Sequence, residues 1–192
     1  MAEWRLQPGI PECTTREWYA ARDRAPHLEQ ENHRTRLRVT ADEVDRVASP
    51  RGYRTVVDLG AGDGGLLSLL PAPYWAWGYD LQPSNIIGAG ERGVDVRLAD
   101  ILTDPIEWGQ VAVATELLEH LIDPHGLVRT IRDHASALVC SSPWGETPDS
   151  HYEHHVWAWD EPGYRAMVEQ AGWKVLRQRR AALAQIITAV RA

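Results

Sequence analysis

Residues 55–67 read Thr55-Val56-Val57-Asp58-Leu59-Gly60-Ala61-Gly62-Asp63-Gly64-Gly65-Leu66-Leu67. Val56, Val57 and Leu59 form a short apolar run of the kind a buried strand needs. Gly60, Gly62, Gly64 and Gly65 then make a turn, and Leu66, Leu67, Leu69 and Leu70 start a helix. Glycine admits positive φ and lets a ligand come close to the main chain. The unpaired amides at a helix start would face that ligand.

Two ligand classes fit a strand, glycine loop and helix. Gly60, Gly62 and Gly65 satisfy the dinucleotide fingerprint G-x-G-x-x-G. Asp58 argues against it, because a carboxylate at the strand end would repel a pyrophosphate. The same carboxylate suits a ligand with an ammonium group, and S-adenosylmethionine carries an ammonium and a sulfonium but no phosphate. An acid followed by G-x-G-x-G, here Asp58 with Gly60, Gly62 and Gly64, resembles the first motif of class I S-adenosylmethionine-dependent methyltransferases. The resemblance implies a Rossmann-like α/β fold: a mostly parallel sheet with a C-terminal antiparallel strand and helices on both faces. It spans residues 54–192, with Ala61 in the loop also touching the cofactor.

Bulk properties set limits around this unit. A chain of 192 residues is most simply one domain, 1–192, with residues 1–50 as an N-terminal helical cap on a 54–192 core. No apolar run reaches the roughly 20 residues of a membrane span, and Met1–Arg5 leads into no apolar stretch, so no secretory signal is expected. Only Cys13 and Cys140 are present, which fits a reducing cytoplasm and no disulfide framework. A net charge of −7 argues against bulk electrostatic binding of nucleic acid.

In the cap, Thr14 or Thr15 would begin a helix over 16–24, and a second would run from about Pro26 or His27 to Arg38. Thr40 with Glu43 reads as a capping box that opens a third. His27, Glu29, Glu31 and His33 read as a solvated helical face. Downstream of the glycine loop, Tyr74–Asp80 is a second strand ending on an acid. Asp80 stands 20 residues beyond Gly60, the spacing at which a strand-tip carboxylate meets ribose hydroxyls. A third strand, Val94–Leu98, ends before Asp100. By the resemblance, Leu81 also contacts the cofactor, Asp100 takes the adenine amino group and Ile101 packs on the ring.

Val111–Thr115 is a fourth strand, followed by Glu116-Leu-Leu-Glu119-His120. Helical spacing would project Glu116, Glu119 and His120 together, with Leu117, Leu118 and Leu121 in the core. Two carboxylates and an imidazole on one patch call for a divalent cation or a shared proton. This E-x-x-E-H with Asp123-Pro124 is similar to a motif of ubiquinone-pathway O-methyltransferases. It also resembles that of small-RNA 3′-end 2′-O-methyltransferases, in which two Glu and two His bind a metal. Thr115 and Glu116 would reach the cofactor.

A fifth strand, Ala137–Pro143, leads into Trp144–Trp159, which carries His151, His154 and His155 among aromatic residues. His155-Val-Trp-Ala-Trp159 is similar to the segment of the RNA-end enzymes that supplies the remaining metal ligand, although Ala158 replaces a glutamate. A helix from Asp160 and a hairpin turning at Arg179 and Arg180 complete the chain. The expected function is methyl transfer from S-adenosylmethionine to a small-molecule acceptor, with Glu116, His120 and His155 as catalytic candidates. Glu116, Glu119, His120 and His155 are the candidates for Mg²⁺ or Mn²⁺. RNA 2′-O-methylation and a non-catalytic cofactor-binding protein are the alternatives.

Overall fold

The computed structural model describes residues 1–7, 11–24 and 26–192. In chain order the elements are β1 (Glu3–Arg5), α1 (Arg16–Ala20), α2 (Glu31–Ala48), β2 (Thr55–Leu59), β3 (Trp75–Asp80), α3 (Pro83–Arg92) and β4 (Val96–Leu98). Then come β5 (Val111–Thr115), α4 (Pro124–His134), β6 (Ala137–Pro143), β7 (Trp157–Trp159), α5 (Glu161–Gln170), β8 (Trp173–Ala181) and β9 (Ala184–Arg191). Seven strands form one sheet in the order β4-β3-β2-β5-β6-β9-β8. β4 to β6 are parallel, while β9 runs antiparallel to both β6 and β8. This is the mostly parallel Rossmann-like sheet with a C-terminal antiparallel strand, β9, that the resemblance implies. No helix among the described residues is long and apolar enough to cross a membrane.

Strand periodicity assigns the two faces, because successive side chains point to opposite sides. Val56, Val111, Val113, Ala137 and Val139 pack under Leu37, Val44 and Val47 of α2. Their neighbours Val57, Ala112, Ala114, Leu138 and Cys140 pack under Leu127, Val128 and Ile131 of α4 and Tyr164, Met167 and Val168 of α5. Strand order reverses between β2 and β5, and in open α/β sheets the crevice at the carboxyl ends of such strands is where ligands bind.

Gly64 shows how tightly the loop is set on the sheet. It has φ +74°, and a Cβ there would lie 2.3 Å from Val94 Cγ2. Gly64→Ala is therefore expected to destabilise by about 2–4 kcal/mol, combining left-handed strain with overpacking. A lowered urea midpoint checks this, and an unchanged one would refute it.

Several local expectations are corrected. The glycine loop leads into only a short 3-10 turn, Leu67–Leu69, before Pro71 and Pro73. The second and third cap helices are one helix, α2. Thr40 is fully buried in it, its hydroxyl donating to Arg36 O at 3.0 Å, so it caps nothing. Glu43 does not box a terminus; it is buried against the sheet and accepts from the Thr188 hydroxyl at 2.9 Å. The first helix stops at Ala20, with Thr15 as its cap. The C-terminal hairpin turns at Ala182 and Leu183, leaving Arg179 and Arg180 inside β8. An antiparallel ribbon of β1 and β7, Glu3 opposite Trp159, was not anticipated.

Candidate active site at the carboxyl edge of the sheet

A cavity of about 910 Å³ opens above the reversal between β2 and β5. Each residue that the sequence assigned to the cofactor lines it: Asp58, Gly60, Ala61 and Gly62, then Asp80 and Leu81, Asp100 and Ile101, and Thr115 and Glu116. Glu119, His120 and His155 line the same cavity.

The loop is held by its neighbours on β3. The Gly60 and Ala61 amides both donate to Tyr79 O at 2.9 Å, and the Gly62 amide donates to Asp80 Oδ2 at 2.8 Å. Asp80 Oδ1 accepts from the Gln82 amide and the Asn85 side chain, so this carboxylate organises the loop while it lines the cavity. Gly60 has no room for a side chain, since a Cβ would sit 3.0 Å from Leu117 Cδ1. Asp63, fully buried, anchors the loop from behind through Arg92 Nη2 at 2.6 Å and Arg24 Nη2 at 3.2 Å. Asp100 closes its own turn by accepting from the Leu102 amide at 3.0 Å.

Asp58 is 1% exposed, and its Oδ1 has no hydrogen-bond partner. Burial raises its pKa to about 8; Asp80 adds to the rise and Arg36 opposes it. The sequence reading missed Arg36. This residue of α2 is 4% exposed and has its Nε and Nη1 without hydrogen-bond partners. Its Nη1 stands 3.3 Å from Glu116 Oε1. Burial lowers its pKa to about 10 against the opposing pull of Glu119 and Asp58. The available signal was its place on the helix stripe of Leu37, Thr40, Val44 and Val47.

The E-x-x-E-H segment is not the helix that the spacing suggested. Glu116 has φ +50°, and only Leu118–His120 forms a 3-10 turn. Left-handed backbone at a non-glycine residue costs about 1–2 kcal/mol and persists where neighbours over-determine it. Here the Glu116 amide donates to Ser141 O at 3.1 Å, and Glu116 Oε1 accepts from the Ser141 hydroxyl at 2.8 Å. Glu116 thus turns to Arg36 and Ser141, away from the metal-ligand group proposed for it. Leu118 is buried as expected, and Leu117 and Leu121 pack against the core while also lining the cavity.

Glu119, His120 and His155 do come together, with one potential ligand atom from each lying within 4.8 Å of the others. Glu119 is fully buried, and neither carboxylate oxygen has a hydrogen-bond partner. Burial raises its pKa to about 8, opposed first by its own nearby backbone amide and then by Arg36, with Glu146 adding to the rise. Burial, then His155, pushes the His120 imidazole down to about 3, so it is neutral near pH 7. Its Nδ1 faces His154 O at 3.4 Å, and its ring meets His155 edge to face at 4.7 Å. His154 itself stacks edge-on to Trp18, while His151 is exposed.

The cap supplies the remaining wall. Trp18, Tyr19, Arg22 and His27 line the cavity, and His27 is no part of a solvated face. Burial lowers its pKa to about 4, with Arg36 and His33 adding to the shift. A Cβ on Gly62 would lie 3.3 Å from His27 Nδ1.

A family model described as a methyltransferase domain matches residues 30–178. The chain belongs to the class I S-adenosylmethionine-dependent methyltransferases. Among solved structures, this methyltransferase is similar to magnesium protoporphyrin IX methyltransferase from Synechocystis PCC 6803 with bound S-adenosylmethionine. The identity is 16%, the TM-score is 0.69, and 97% of this chain and 100% of that one are covered. It is similar, at 17% identity and TM-score 0.64, to the methyltransferase domain of bacterial CtHen1-C, over 84% of this chain and 100% of that one. A methyltransferase from Clostridium acetobutylicum shares 10% identity at TM-score 0.62, over 82% and 92%. No curated protein matches the sequence.

Proposed function

We propose that this methyltransferase acts on an oxygen of a small-molecule acceptor, with Glu119, His120 and His155 holding a divalent cation beside the methyl donor. The observation that carries the reading is Glu119: a fully buried carboxylate with two unpaired oxygens, set against two imidazoles. Such a group is costly unless paired or coordinated. Two imidazoles and one carboxylate favour Mn²⁺ over Mg²⁺, since imidazole suits the later divalent metals.

S-adenosylmethionine, when bound, supplies a methyl group already activated by its sulfonium. The chain's task is alignment and management of the acceptor proton. Asp58 has a free oxygen for the ammonium of the methionine end, and the Arg36 Nε–H, which has no partner, suits its carboxylate. Asp80 Oδ2 accepts one protein hydrogen bond and keeps a lone pair for a ribose hydroxyl. Asp100 and Ile101 line the same cavity, which supports a role at the adenine. A divalent cation at Glu119, His120 and His155 would supply Lewis acidity toward an acceptor hydroxyl.

Pockets for small ligands run to roughly 1,000 Å³, so a cavity of about 910 Å³ has room for the cofactor and a compact acceptor. Trp18, Trp144 and Tyr152 give that acceptor aromatic walls. In this reading residues 1–192 work as one domain, the cap forming part of the pocket.

Calorimetric titration of Mn²⁺ into protein saturated with S-adenosylhomocysteine tests the proposal. One saturable site, lost in Glu119→Ala and His155→Ala, is expected. No binding by the wild type would remove the metal. Methylation of a short RNA 3′ end, with none of small alcohols and phenols, would overturn the acceptor class.

A further inference from the structure

We propose that Glu146 is the positioning residue of the acceptor side, holding the His155 ring through Nδ1 so that Nε2 is the nitrogen left for a group shared with Glu119 and His120. The consequence for methyl transfer rests on the reading of His155 given above; the hydrogen-bond assignment does not. Glu146 stands three residues beyond the end of β6, after Gly145 turns the chain at φ +88°. Its Oε2 lies 2.7 Å from His155 Nδ1, and its Oε1 accepts from the Tyr152 amide at 3.0 Å. Both side chains are largely buried, with 16% of Glu146 and 9% of His155 exposed.

The segment between them is closed on itself. Thr147 and Ser150 exchange amide-to-carbonyl bonds of 3.0 and 3.1 Å, and the His155 amide donates to Tyr152 O at 3.0 Å. The backbone is also tied from outside. The Val156 amide donates to Glu119 O at 2.7 Å, and Gln7 Nε2 donates to His155 O at 3.1 Å. Glu146 is thus the clasp of a loop whose far end carries His155.

A carboxylate accepts and does not donate, so the short contact places the imidazole proton on Nδ1. In the neutral ring Nε2 is then the unprotonated nitrogen. His120 is held in the same sense, with its Nδ1 toward His154 O. An imidazole anchored in this way can serve a cation or an acceptor hydroxyl with the same lone pair. Partners of this kind orient a ring and raise its basicity, and their loss typically costs 10- to 100-fold in metal affinity or activity.

The test is ¹⁵N NMR of histidine-labelled protein saturated with S-adenosylhomocysteine. Wild-type His155 is expected as the Nδ1–H tautomer. Glu146→Gln, whose amide oxygen can still accept, should keep it. Glu146→Ala should move the ring toward the Nε2–H form that free imidazole side chains prefer. A wild-type ring already protonated on Nε2, or a tautomer indifferent to Glu146→Ala, overturns the assignment; the first holds even if the alanine variant fails to fold. Mn²⁺ titration runs in parallel, with a 10- to 100-fold loss of affinity expected in Glu146→Ala. Absence of Mn²⁺ binding by the wild type would overturn the metal reading alone, and the tautomer would still decide the role of Glu146.

Discussion

Asp58→Asn is expected to bind S-adenosylmethionine at least about 30-fold more weakly than the wild type, and to fold more stably without it. The two effects have one origin. Asp58 is almost fully buried, with an unpaired oxygen, and burial raises its pKa to about 8. Truncating one partner of a buried charge pair typically costs about 2–5 kcal/mol, which sets the loss of affinity. The same buried carboxyl, which resists ionisation, opposes folding of the free protein as pH rises, and asparagine removes that titration. Calorimetry and thermal melts on one preparation read both quantities. Unchanged affinity would separate Asp58 from the ammonium.

The pH dependence follows from the same shift. A carboxyl whose folded pKa is raised binds more protons when folded than when unfolded between its ordinary value of 3.8 and about 8. Its contribution to stability is complete below the lower value and is lost as pH rises through the upper one. The melting temperature of the free protein should therefore fall from pH 5 to pH 8.5, and less steeply in Asp58→Asn. Cofactor binding should change in the opposite direction. Below about pH 8 the acid must release a proton to meet an ammonium, so affinity should rise with pH.

The strand ends were legible in the sequence because their chemistry repeats. Asp58 and Asp80 each follow an apolar run and Asp100 follows an alternating strand, and the sheet brings all three to one cavity. The E-x-x-E-H segment was legible in composition but not in shape. Helical spacing grouped Glu116 with Glu119 and His120, yet Glu116 takes a left-handed backbone and bonds to Ser141. Those bonds are tertiary, and no local pattern announces them. Thr40 and Glu43 misled for a related reason: their capping-box spacing is genuine, but both are buried in the middle of α2. Glu146 and His155 lie nine residues apart across an irregular loop, a separation with no periodic signature.

Arg36→Leu is expected to have the largest effect on stability, and that effect should grow with pH. Arg36 is the cation beside Glu116 and within electrostatic reach of Asp58 and Glu119. Breaking a buried ion pair from one side costs about 3–5 kcal/mol when the remaining charge stays ionised. At pH 8.5 the acids are largely ionised, and the full cost should appear in urea unfolding. At pH 6, Asp58 and Glu119 are mostly protonated in the wild type, so their part of the cost should be much smaller and the loss of the Glu116 ion pair should remain. Loss of the guanidinium also raises both acids further, which steepens the fall in stability with pH. Cofactor affinity should drop as well, because the carboxylate of the methionine end loses its partner. Adding Asp58→Asn to Arg36→Leu should restore part of the stability at pH 8.5, as coupled sites do not add. Strict additivity of the two substitutions would show that Arg36 and Asp58 do not share one electrostatic site.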